Sequence, residues 1–198
     1  KRPIGVLDSG VGGLTIWREI VKELPNESTI YIADSKNCPY GIKTAEEIYN
    51  LAKRLAAFLV TQDVKLIVLA CNTITVSCLD KLREEFKDVP IIGTVPVIKT
   101  ASELTKNKKI GVLSTKQTAK SKYQKDLIKR FAQGLEVLNI GTDKLVPLIE
   151  KGDHVKMIQI ILQQELKPFV DAKVDVLALG CTHFPLIKQK IQKVLGSK

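Results

Sequence analysis

Two cysteines in this chain stand at matching places in two similar stretches. Val64-Lys65-Leu66-Ile67-Val68-Leu69-Ala70-Cys71-Asn72-Thr73 aligns, 110 residues later, with Val174-Asp175-Val176-Leu177-Ala178-Leu179-Gly180-Cys181-Thr182-His183. Each apolar run has the length and β-branched content of a buried strand, which puts each thiol at a strand's carboxyl end. A thiol has an ordinary pKa of about 8.5, and a helix N-terminus or a nearby positive charge lowers it. Two thiols on two related halves suit one reaction in particular. One base removes a proton from one face of a carbon, and the other returns a proton to the opposite face. A lone strand-end cysteine is more often inert packing, and the matched pair argues against that. Redox chemistry is the competing use. It needs the sulfurs within disulfide distance and usually shows Cys-x-x-Cys spacing, which neither 71/78 nor 71/181 has.

Other side chains join this pair. His183 lies two residues after Cys181 and can stabilise a thiolate or shuttle its proton. His154, among charged residues at a helix start, reads as surface. Asp8-Ser9-Gly10-Val11-Gly12-Gly13 follows the first strand, and its glycines let the backbone approach an anion. It is neither a dinucleotide fingerprint nor a P-loop. Its carboxylate, Asp8, suits holding an ammonium group or assisting proton transfer. Cys78 falls on a helix face and Cys38 in a loop before Pro39; neither acquires a role.

Positioning these groups requires strands alternating with helices. Strands are predicted at Ile4–Leu7, Thr29–Ala33, Leu66–Ala70, Ile91–Gly93, Ile110–Ser114, Glu136–Ile140 and Val176–Leu179. Between them, helices are predicted at Leu14–Leu24, from Thr44 to about Thr61, and at Ser77–Lys87, Val97–Leu104, Ala119–Ala132, Lys144–Glu150, His154–Val170 and Pro185–Leu195. Gly10–Gly13 reads as a tight loop. Thr44 with Glu47 three residues on forms a capping-box signature. Continuous apolar strands alternating with helices predict α/β architecture with mostly parallel sheets covered on both faces. Ile4-Gly5-Val6-Leu7-Asp8-Ser9 is echoed 106 residues later by Ile110-Gly111-Val112-Leu113-Ser114-Thr115. The chain therefore divides into two similar domains related by pseudo-symmetry, 1–94 carrying Cys71 and 95–198 carrying Cys181. In open α/β sheets ligands sit beyond the carboxyl ends of strands. Asp8, Asp34, Cys71, Ser114 and Cys181 all fall there.

Composition narrows the function classes. The net charge of +10 at pH 7 raises the question of nucleic acid. The lysine clusters lack interleaved aromatics, and no nucleic-acid motif accompanies them, so a solvated basic surface that attracts small anions is the better reading. No apolar run approaches the ~20 residues of a membrane span. The opening Lys1-Arg2-Pro3 runs into a strand rather than a signal peptide, and four cysteines without disulfide or zinc spacing point to a reduced, cytoplasmic setting. The lack of an initiator Met suggests a fragment of a longer product.

Taken together, these segments resemble glutamate racemase, within the cofactor-independent aspartate/glutamate racemase superfamily. The resemblance rests on Gly5 through Thr15, Pro39-Tyr40-Gly41, Ala70-Cys71-Asn72-Thr73, Ile110-Gly111-Val112 with Thr115 and Thr118, Val146-Pro147-Leu148-Ile149-Glu150, and Gly180-Cys181-Thr182-His183-Phe184-Pro185-Leu186. It implies interconversion of L- and D-glutamate without pyridoxal phosphate, other cofactor or metal, supplying D-glutamate for peptidoglycan. Cys71 would act on the D-isomer and Cys181 on the L-isomer. Asp8 and His183 would assist them respectively, with Glu150 as a further acidic helper. Ser9, Asn72, Thr73, Thr115, Thr118 and Thr182 would hold the substrate's amino and carboxylate groups, with Pro39, Tyr40 and Gly41 adding loop contacts. Partners would be the small-molecule substrate and, as in other members, a second copy in a homodimer; no nucleic acid or membrane is implied. The sequence departs from the family at Ile74 and Val76, where smaller residues are usual, and at Gly141-Thr142-Asp143, where Cys-Pro is common. The family usually continues past this C-terminus with a strand and a helix returning to the first domain, and the last helix here is expected to return that way. Rival readings are a racemase of aspartate or another amino acid, and a non-catalytic anion-binding module.

Overall fold

The computed structural model describes residues 2–152 and 155–196. Two separate parallel sheets organise it. In the first, β1 (Ile4–Asp8) lies between β2 (Thr29–Ala33) and β3 (Leu66–Leu69), and β4 (Ile91–Gly93) extends the sheet beside β3. In the second, β5 (Lys109–Thr115) lies between β6 (Glu136–Thr142) and β7 (Val176–Gly180). The internal repeat is visible in the register. Ile4 pairs with Leu66 in one sheet, and Ile110 pairs with Val176 in the other. The repeated sequences thus occupy the same lattice positions in their sheets.

Both faces of each sheet are covered, which explains why the strands read as unbroken apolar runs. In the first half, Leu7, Ile67 and Leu69 pack against α2 (Ala45–Thr61) and α3 (Asn72–Glu85). On the opposite face, Val6 and Val68 meet Ile16, Trp17 and Ile20 of α1 (Leu14–Glu23). In the second half, Leu113 belongs to a core with Leu162, Leu166 and Phe169 of α8 (Val155–Asp171). Its other core joins Ile110, Val112 and Ala178 to Ile98 and Ala101 of α4 (Ile98–Leu104). Two matched glycines permit the helices to sit this close. A Cβ on Gly5 would lie 3.0 Å from Leu59, and one on Gly111 would lie 2.6 Å from Phe169.

The capping box at Thr44 is present: Glu47 N–H donates to Thr44 Oγ1 (3.2 Å), and Thr44 N–H donates to Glu47 Oε2 (2.7 Å). Several boundaries differ from the sequence reading. The helix expected from Ser77 begins at Asn72, directly after Cys71, because Asn72 to Thr75 are all buried by tertiary packing that overrides the β-branched preference of Thr73, Ile74 and Thr75. The helix expected over Ala119–Ala132 is two, α5 (Lys116–Lys120) and α6 (Lys122–Phe131). Ser121 has extended backbone and its hydroxyl accepts from Gln124 N–H, so it caps a new helix. The Gly10–Gly13 loop contains a 3-10 turn, Val11–Gly13, leading straight into α1. Two further helices complete the second half: α7 (Leu145–Lys151), and α9 (Lys188–Leu195), which follows a 3-10 turn at Phe184–Ile187 and packs on α8. His154, read as a surface residue at the start of α8, lies outside the described residues.

The halves meet with the carboxyl ends of β1, β3, β5 and β7 facing one another. Thr73 of α3 is hydrogen-bonded to Thr115 (3.0 Å) and Thr118 (3.2 Å) of the second half. Thr182 Oγ1 reaches back to Asp8 Oδ2 (3.1 Å), and Val11 N–H to Glu150 Oε1 (2.8 Å).

Candidate active site

Cys71 and Cys181 open onto one small pocket between the halves. Ser9, Tyr40, Gly41, Asn72, Thr73, Thr115, Val146, Thr182 and His183 line it with them. Each thiol is there because a strand ends beside it. Cys71 follows β3 and is the N-cap of α3, so the amides of that helix's first turn lie beside the sulfur. Cys181 follows β7, and its carbonyl accepts from Phe184 N–H at the start of the 3-10 turn.

Each thiol has its own polar relay to a carboxylate. On one side, Ser9 Oγ lies 3.5 Å from Cys71 Sγ and donates to Asp8 Oδ1 (3.4 Å). Asp8 is fully buried at the end of β1, where Gly10 N–H (2.8 Å) and Thr182 Oγ1 also donate to its carboxylate. On the other side, His183 Nδ1 lies 3.8 Å from Cys181 Sγ, and His183 Nε2 lies 2.5 Å from Glu150 Oε1. The sequence repeat supplies the thiols but not the relays: one runs through a hydroxyl, the other through an imidazole.

Burial dominates the electrostatics. It pushes the Cys71 thiol up to about 12, with the Asp8 charge adding and hydrogen bonds from Ser9 and the Ile74 amide opposing. Burial also raises Cys181 well above the ordinary thiol range, against the hydrogen bond from the His183 amide. Asp8 is raised by its own burial, partly offset by His183 and the donors from Gly10 and Thr182. Glu150 differs. Burial alone would raise it, but the hydrogen bonds from His183 and Val11 N–H outweigh burial and hold it below the usual glutamate value. Both thiols are therefore protonated at rest, and Glu150 is ionised.

The remaining expected residues divide into wall and support. Ser9, Tyr40, Gly41, Asn72, Thr73, Thr115 and Thr182 are wall. Thr118 stands behind Thr115 and Thr73, bonded to both hydroxyls. Pro39 joins Cys38 through a cis peptide and leads into the Tyr40–Ile42 turn. Tyr40 is buried and donates to Asp34 Oδ2 (2.7 Å), which anchors that turn. Gly41 is required by close approach: a Cβ there would lie 2.7 Å from Thr115 Cβ. Two residues near the site carried no role in the sequence reading. Val146 lines the pocket, and its only signal was its place in the Val146-Pro147-Leu148 segment. Cys38 faces the Glu150 carboxylate, a contact across 112 residues that local pattern cannot reveal. Cys78, by contrast, is core packing on α3.

The pocket is closed, enclosing about 10 Å³, the room of roughly one water. A larger cavity of about 500 Å³ lies away from the thiols, beside β7 and between Phe169, Leu177, Ile191 and Leu195. Its walls are mostly apolar and offer no paired base. Among the described residues, no helix is long and apolar enough to cross a membrane.

Known proteins are similar to this chain in sequence and fold. The profile of the Asp/Glu/hydantoin racemase family matches residues 4–198. A glutamate racemase of Clostridium novyi is 42% identical over 204 residues, covering 99% of this chain and 76% of that protein. The crystal structure of Escherichia coli glutamate racemase, in complex with L-glutamate and the activator UDP-MurNAc-ala, superposes with a TM-score of 0.90 at 37% identity, covering all of this chain and 76% of that one. Glutamate racemase from Francisella tularensis, in complex with D-glutamate, gives a TM-score of 0.84 at 38% identity, covering 98% of this chain and 73% of that one.

Proposed function

The chain belongs to the Asp/Glu/hydantoin racemase family, and we propose that it interconverts L- and D-glutamate by proton transfer between Cys71 and Cys181. The observation that carries this reading is the pair of buried thiols on one pocket, each with a separate relay to a carboxylate. In the L-to-D direction, Cys181 gives its proton to His183 Nδ1, whose Nε2–H is held by Glu150. The resulting thiolate takes the α-proton, and Cys71 S–H gives its proton to the other face of the planar carbanion. When the product leaves, His183 releases its proton to water and the Cys71 thiolate regains one from water beside Ser9 and Asp8, so both sulfurs are thiols again. The reverse direction starts from the Cys71 thiolate. The carboxylate of the carbanion carries the developing charge, and the Thr73 hydroxyl and the Asn72 side-chain amide in the pocket wall are the donors placed to meet it. The substrate's ammonium group supplies positive charge to a buried pocket lined, among the described residues, by no Lys or Arg, and so favours forming a thiolate. The product D-glutamate would serve peptidoglycan synthesis. We place the boundary between the two halves at residues 94 and 95, after β4.

The test is proton NMR of L-glutamate in deuterated water with reduced protein and no added cofactor. Loss of the α-proton signal together with D-glutamate on a chiral assay is expected. A folded, reduced sample that exchanges neither enantiomer would refute the proposal. Running aspartate beside glutamate decides the substrate.

A further inference from the structure

Beside the thiol pair stands a third thiol, Cys38, that the proton-transfer reading does not need, next to two residues that it does. Cys38 Sγ, a Glu150 carboxylate oxygen and a His183 ring nitrogen all lie within 4.8 Å of one another. They come from three separated segments: the loop before the cis peptide to Pro39, the end of α7, and the turn after β7. Thiolate, imidazole and carboxylate are the three side-chain ligands that zinc takes, at bonds of about 2.0–2.3 Å. A tetrahedral ion with such bonds spreads its donors roughly 3.3–3.8 Å apart. The trio therefore closes on an ion by small side-chain movements, mostly by parting His183 Nε2 from Glu150 Oε1, now 2.5 Å apart. Gly10 leaves this space open, since a Cβ there would strike the Glu150 carboxylate and lie 3.1 Å from His183 Nε2. Three protein ligands leave the fourth position for water. Cys38 and Glu150 are only part-buried, so an ion can reach them from solvent.

We infer that Cys38, Glu150 and His183 form a binding site for a thiophilic divalent cation, zinc foremost, whose occupancy switches proton transfer off. On binding, the Cys38 S–H proton leaves to solvent and the sulfur ligates as thiolate. His183 ligates through Nε2, which loses its hydrogen bond to Glu150 as its proton is passed by way of water to Nδ1. The imidazole then has no free ring nitrogen with which to accept and pass on the Cys181 proton. Hard cations such as magnesium prefer all-oxygen sites and are poor occupants here. Metal binding stands on the three side chains alone; its inhibitory consequence rests on the racemase reading.

The experiment titrates reduced, metal-free protein with Co²⁺ and with Zn²⁺, alongside Cys38→Ser and Cys38→Ala. Parent protein is expected to bind one ion and to show a thiolate-to-cobalt charge-transfer band in the ultraviolet that zinc displaces. Both variants lose that band, bind zinc more than about tenfold more weakly, and racemise glutamate like the parent when no metal is present. Zinc inhibits the parent reversibly, with relief by chelator, and the variants much less. Absence of the band in the parent overturns the site, and so does undiminished zinc affinity in both variants, which would move the ion to Cys71 or Cys181. Cys38-dependent metal binding by a protein that racemises nothing would uphold the site and refute the racemase reading instead.

Discussion

The link from Glu150 to Cys181 can be tested by removing one charge. Glu150→Gln keeps the side chain's shape, and its amide oxygen can still accept from both Val11 N–H and His183 Nε2–H. What goes is the negative charge facing an imidazole that is 2% exposed and 2.5 Å away. A hydrogen bond to a charged partner is worth about 1.5–3 kcal/mol against about 0.5–1.5 for a neutral one. The substitution should therefore raise the barrier by about 1–2 kcal/mol whenever His183 must carry the Cys181 proton. At about 1.4 kcal/mol per tenfold, kcat/KM falls by roughly 5–30-fold. The fall must be equal in the L-to-D and D-to-L directions, because enantiomers have equal free energy and the ratio of the two kcat/KM values is fixed at one. The assay is circular dichroism of each enantiomer's racemisation, with the thermal unfolding of the variant measured in parallel. A variant that is equally stable and retains kcat/KM within twofold of the parent would show that His183 works without Glu150, and the imidazole relay would be wrong.

Other perturbations address the remaining parts. Cys71→Ala and Cys181→Ala should each cut racemisation by about 10²–10⁴-fold. Each should still exchange one enantiomer's α-proton in deuterated water, L-glutamate for Cys71→Ala and D-glutamate for Cys181→Ala; exchange of both by either variant would contradict a base on each face. Because Cys71 is pushed up to about 12, substrate-free protein should show no ultraviolet thiolate absorbance from this residue at neutral pH. Its folded value lies above the unfolded 9.0, so the stability it contributes is complete below 9 and is lost as pH rises toward 12. Denaturant midpoints should fall across that window, and less steeply in Cys71→Ala. Gly111→Ala would place a Cβ 2.6 Å from Phe169 and 2.7 Å from Leu177. It should destabilise by about 1–3 kcal/mol, more than Gly5→Ala, in urea unfolding.

What the sequence reveals here depends on whether a feature is local. The strands were legible because burial on both faces makes them continuous apolar runs, and the repeat gave both thiols their places. The start of α3 was hidden because Thr73, Ile74, Thr75 and Val76 are β-branched and read as strand or loop; only the packed sheet above them makes a helix the lower-energy choice. The break at Ser121 was hidden by a helical pattern that runs through it. Glu150 entered only through family resemblance, since nothing near it in sequence points to His183, 33 residues on, or to Val11, 139 residues back. Cys38 escaped for the same reason. Distant segments converge at the carboxyl ends of the two sheets, and a one-dimensional pattern has no record of that.

The closed pocket and the raised thiols are two sides of one constraint. A space of about 10 Å³ is too small for glutamate, so the walls must give before substrate enters, and parting of the Thr73–Thr115 and Thr182–Asp8 contacts between the halves would open it. Parting exposes the sulfurs to water, which lowers the cost of an anion. Closing again dries the pocket and raises that cost, but now with an ammonium group trapped inside. A thiolate then persists only when a zwitterion shares its enclosure. That condition makes the base strong where an α-proton is present, and keeps both sulfurs as unreactive thiols where none is. The same enclosure that protects the thiols at rest therefore supplies the driving force for proton removal when the pocket is filled.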